Sequence, residues 1–73
     1  MQDIQTRTEV ARLWAEHHEH NAKANEALAK AYELEGNAAL SASYRELVGR
    51  SKLHAEDHRA HVRELEAVVK VAA

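Results

Sequence analysis

Seventy-three residues with no cysteine, no proline, ten basic and twelve acidic side chains, six histidines and a net charge of −2 leave room for one domain, 1–73, and set narrow limits on it. Chains this short seldom bury enough apolar surface without a disulfide, a metal, very regular helix packing or oligomerisation, and the missing cysteine removes disulfides together with zinc-finger and iron–sulfur chemistry. Acidic and basic residues are interspersed without the basic stripe that nucleic acid requires, and no apolar run reaches the roughly 20 residues of a membrane span.

The opening Met1-Gln2-Asp3-Ile4 lacks the basic and apolar regions of a signal peptide. The expectation is a cytoplasmic protein with no membrane or nucleic-acid partner. Alanine at 15 positions, with Leu, Glu, Lys and Arg filling much of the rest, predicts an all-α fold.

The first helix is expected over 4–35. Thr6-Arg7-Thr8-Glu9 has the form of a capping box, and Asp3 offers a start one turn earlier. Glu9, Arg12, Glu16, Glu19, Lys23, Glu26, Lys30 and Glu33 alternate three- and four-residue steps, which marks a single solvent-facing stripe. Val10, Leu13, His17, His20, Ala24, Leu28, Ala31 and Leu34 run opposite, at the spacing of a buried seam.

Gly36-Asn37 is the strong turn signal, with glycine suited to the left-handed position after a helix and asparagine to capping the next. The second helix, expected over 38–72, carries Leu40, Tyr44, Leu47, Ser51, His54, His58, His61, Leu65, Val68 and Ala72 on its seam. Ser43-Tyr44-Arg45-Glu46 offers a later start, and Gly49 is a point where this helix bends, is closely approached, or breaks to give a three-helix variant. An antiparallel two-helix hairpin follows, in which the numbers of facing residues add to about 75. That register sets His20 by His54, His17 by His58, and Trp14 or Leu13 by His61.

A neighbouring stripe remains: Ala11, Ala15, His18, Ala22, Asn25, Ala29 and Tyr32 on the first helix, Val48, Ala55, Val62 and Val69 on the second. Two helices cannot cover both sets, so the hairpin is expected to pair into a homodimeric four-helix bundle, with a higher homo-oligomer or a different protein partner satisfying the same pattern. Trp14 and Tyr32 are candidates for that contact.

Five of the six histidines fall on the first pair of seams. Spacings of three and four residues project His17 with His20, and His54 with His58, from one side of each helix. Imidazoles so placed are ligands for Zn, Ni, Cu or Fe, and helices 8–10 Å apart allow bonds of about 2.0–2.1 Å to zinc. His17, His20, His54 and His58 are therefore the candidate metal ligands, with His61 beside Trp14 as packing or support.

The competing reading makes the histidines a polar core layer that hydrogen-bonds to Ser51, Asn21 or water. No histidine has glutamate three residues before it, as di-iron bundles require, and His54-Ala55-Glu56-Asp57-His58 is not His-Glu-x-x-His. The stretch from His54 to Leu65 resembles a hemerythrin-type helix in its His-x-x-x-His pair, but that family's carboxylate ligands have no counterpart. No catalytic residue is assigned. Two functions are expected: a small non-enzymatic bundle that binds a transition metal through the histidines, or an assembly or adaptor protein whose helical faces mediate oligomerisation or docking.

Overall fold

Asp3 starts the first helix of the computed structural model, which describes residues 3–72. Its backbone is extended, and its carboxylate accepts the Thr6 amide proton at 2.7 Å, which satisfies a donor that has no partner inside the helix. Thr6 thus lies within the first turn rather than capping it, and Thr8 turns its hydroxyl back to donate to the Ile4 carbonyl at 2.7 Å. Helix α1 runs Ile4–Leu34.

The turn follows the residue chemistry. Gly36 adopts φ +80°, the left-handed region open to glycine at low cost. That geometry lets Gly36 donate to the Glu33 carbonyl at 3.0 Å and Asn37 to the Tyr32 carbonyl at 2.8 Å, closing the end of α1 with a Schellman pair. Asn37 then accepts the Leu40 amide through its side chain at 3.1 Å and begins the second helix. Helix α2, Ala38–Ala72, is uninterrupted. Ser43 lies inside it, donating to the Ala39 carbonyl, and Gly49 neither breaks it nor is closely approached, since a Cβ there meets open space.

The two helices lie against each other as an antiparallel hairpin of 56 × 16 × 15 Å. The seam between them is not the one expected from the leucines. Buried residues on α1 are Thr8, Ala11, Ala15, Ala22 and Ala29, and on α2 Ser41, Val48, Ala55, Val62 and Leu65. These are the stripes of small residues, interleaved with half-buried His18, Asn25, Tyr32, Tyr44, Ser51 and His58. A small side chain at every seventh position lets two helices approach closely along their whole length.

Val10, Leu13, Leu28, Leu40, Leu47 and Val68, expected to be buried between the helices, are exposed instead. Tyr44, Ser51, His58 and Leu65 are the part of the expected α2 seam that does face α1. Ala72, the last residue assigned to that seam, lies outside the described side chains. The stacked partner of Tyr44 is Tyr32, with ring centroids 5.5 Å apart.

Charge fits the same choice of stripe. Along one edge of the seam, interhelical ion pairs join Arg12 to Glu66 at 2.7 Å, Glu19 to Arg59 at 2.7 Å, Glu26 to Lys52 at 3.1 Å, and Glu33 to Arg45. Each step of seven residues along α1 is answered by seven along α2, so this ladder and the small-residue seam share one register. The positions that make the ladder on α1 belong to the stripe read from the sequence as simply solvated.

Candidate functional site

The edge opposite the ladder differs in kind. From the open end of the hairpin to the turn it carries Arg7, Trp14, Asn21, Leu28 and Glu35 on α1, and Val68, His61, His54, Leu47 and Leu40 on α2, with Val10, His17 and Ala24 beside them. Among these, Trp14 is 51 %, Leu28 42 %, Leu47 40 % and Val68 56 % exposed. No large side chain is fully buried among the described residues, and the accessible surface of 5504 Å² belongs to a chain of 8.2 kDa. A folded monomer of that mass typically exposes about 4500 Å². The elongated hairpin therefore leaves more surface in water than a compact monomer of its mass, and this edge contributes Trp14, Leu28, Leu40, Leu47 and Val68 to it.

At the middle of this face lies a cluster of rings. His18 projects from the seam and stacks on His58, with centroids 5.4 Å apart and planes 7° from parallel. It also meets His54 at 5.1 Å and His17 at 5.2 Å. Trp14 covers the group, near-parallel to His58 at 6.1 Å and edge-on to His17 at 5.7 Å. The His17 Nε2 atom and the Asn21 amide lie 3.1 Å apart. A shallow groove of about 210 Å³ continues the patch past Trp14, bounded by Arg7, Val10, Ala11, His58 and His61.

Of the four candidate ligands, His17, His54 and His58 are gathered here, while His20 is exposed and takes no part in the ring contacts. His18, which follows the Ala11–Ala15–Ala22 stripe, stands at the centre. Its position in that stripe is the signal that locates it, once the small residues are taken as the hairpin seam. Among the described residues, no group of three or more His, Cys, Asp or Glu side chains is arranged to hold a metal ion. Among these histidines only His18 and His58 stack face to face, while His17 and His54 meet His18 edge-on and tilted.

Burial holds His18 below the usual histidine range, and the nearby His54, His17 and His58 push it further down, since each added positive charge disfavours the next. Opposite behaviour marks the ladder edge. There the Arg59 hydrogen bond holds the Glu19 carboxyl below its ordinary value.

No protein-family model matches the chain, and no curated protein or solved structure is significantly similar to it. No helix among the described residues is long and apolar enough to cross a membrane.

Proposed function

We propose that this chain is a non-enzymatic assembly module, half of a homodimeric four-helix bundle, which works as a structural or adaptor protein through its uncovered face. The observation that carries this reading is the asymmetry of the hairpin. One edge is laced by interhelical ion pairs, and the other presents Val10, Trp14, Leu28, Leu40, Leu47 and Val68 to solvent. Scattered exposed leucines are ordinary, but large apolar side chains gathered on one edge of a hairpin on both sides of a polar middle layer are characteristic of an association surface.

The dimensions fit as well. A face about 56 Å long and 16 Å wide is broad enough to seat a second hairpin along its whole length. Two such faces supply the second layer that an isolated helix pair lacks. Sedimentation equilibrium across micromolar concentrations tests this: the expected mass is twice the 8.2 kDa of one chain. A folded species that keeps the monomer mass throughout overturns the reading.

A second reading is favoured by the clustering of His17, His18, His54 and His58. Turned from stacking into convergence, these imidazoles form a nitrogen donor set suited to Zn²⁺, Ni²⁺ or Cu²⁺. Calorimetric titration with each ion separates the readings, because metal binding predicts saturable uptake that weakens below about pH 6.5 as the ligands protonate. A flat titration against a dimer unaffected by chelator leaves the assembly reading alone.

A further inference from the structure

The open face has a centre, and its two ends carry opposite charge. Asn21 and His54 form the middle layer. Seven residues to one side lie Trp14 and His61, and seven to the other Leu28 and Leu47. Fourteen residues out lie Arg7 with Val68 at the open end of the hairpin, and Glu35 with Leu40 at the turn. At 1.5 Å per residue, Arg7 and Glu35 each stand about 21 Å from the middle along the helix axis.

We infer that the face docks against a second copy running antiparallel to the first, with the two-fold axis through the Asn21 and His54 layer; this rests on the homodimer reading above. A two-fold axis at that layer sets Arg7 of each chain against Glu35 of the other, so both outer layers carry an attractive pair. It also lays the Trp14 and His61 layer over Leu28 and Leu47, so the aromatic ring meets branched aliphatic side chains. A parallel pairing lays α1 of one copy over α2 of the other, so Arg7 faces Val68 and Glu35 faces Leu40; neither charge gains a partner, and like charges share each end layer. Charge pattern thus selects the orientation, and the apolar layers supply the attraction.

Charge reversal tests the orientation without threatening the fold. Arg7→Glu puts a negative charge near the N-terminus of α1, and Glu35→Arg puts a positive one at its C-terminus, both favourable to the helix dipole. Each single reversal, present twice in the symmetric dimer, is expected to raise the dimer dissociation constant about fivefold or more at low salt, and the double reversal to restore it.

Asn21→Cys, in a chain without other cysteines, is expected to cross-link to its own copy with a short bis-maleimide. Arg7→Cys is expected to cross-link to Glu35→Cys in a mixture but not to itself. A dimer whose affinity ignores both reversals, or in which Arg7→Cys cross-links to itself, overturns the antiparallel arrangement while leaving the homodimer standing. A chain that remains monomeric overturns both.

Discussion

The two edges of the hairpin seam are built from the same heptad spacing but solve opposite problems. On one edge, Arg12, Glu19, Glu26 and Glu33 meet Glu66, Arg59, Lys52 and Arg45, and the chain satisfies itself. On the other edge, positions equally close to the seam hold Trp14, Leu28, Leu47 and His54, which find only part of their burial within one chain. Solvated ion pairs contribute little energy, typically 0 to about 1 kcal/mol each, so the ladder specifies register and direction more than it stabilises. Apolar strips act in reverse: they attract strongly and specify weakly. One edge sets how the helices fold back, and the other leaves Trp14, Leu28, Leu47 and Val68 in water.

The sharpest way to break that contrast is to charge the open edge. Leu28→Glu with Leu47→Glu places four carboxylates in the proposed dimer core, where burying unpaired charge costs several kcal/mol. Loss of the dimer at all accessible concentrations is expected, with helicity by circular dichroism reduced only as far as association supported it. Leu34→Glu, at a position 82 % exposed and off that strip, serves as the control and should leave the mass unchanged. Equal effects from both variants would remove the distinction between the open edge and ordinary surface.

Next in size is the seam itself. Ala15 is fully buried where the helices approach, so Ala15→Leu forces them apart or strains its own rotamer. Overpacking of this kind typically costs about 1–3 kcal/mol, and a lowered denaturation midpoint in urea is the expected result. A neutral or stabilising outcome would mean that the small-residue stripes are not what holds the hairpin together.

These two variants also locate what could and could not be read from the residues alone. Helix bounds, the Gly36-Asn37 turn and the antiparallel hairpin were legible because capping and glycine conformation are local, and local chemistry is written in adjacent residues. The choice between two apolar faces was not. Leucine and histidine at seam spacing look more core-like than alanine, yet alanine allows the closer approach, and the ion pairs between Glu19 and Arg59 and between Glu26 and Lys52 share that register. Those are interhelical relations, visible only once the heptads of both helices are written in antiparallel register. The same exchange of faces explains the ring cluster: His18 takes the centre, His17, His54 and His58 each contact its ring, and His20 takes no part.

Smaller still is the contribution of one rung. Glu19 receives two hydrogen bonds from Arg59, at 2.7 and 3.3 Å, and is the one bidentate pair of the ladder among the described residues. Glu19→Gln is expected to lower stability by no more than about 1 kcal/mol, with the difference shrinking as salt is raised. A loss several times larger, insensitive to salt, would show that the ladder does carry the fold and would erase the contrast between the two edges.

The gentlest perturbation is a proton on His18. Its folded-state pKa is held below the ordinary value near 6.5, by burial first and then by His54, His17 and His58. As pH falls, the unfolded chain therefore takes up this proton before the folded one does. Stability is complete above the unfolded value, declines as pH drops through it toward the folded value, and then levels off. Glu19, held below its usual range by the Arg59 hydrogen bond, stays charged throughout that window and keeps its rung intact. Measured in the Leu28→Glu with Leu47→Glu background, where association does not contribute, the urea midpoint should fall between pH 7.5 and 5.5, and His18→Gln should flatten part of that slope. A midpoint that rises on acidification would mean that the proton is welcome at the ring cluster, and that the imidazoles face a negative charge rather than one another.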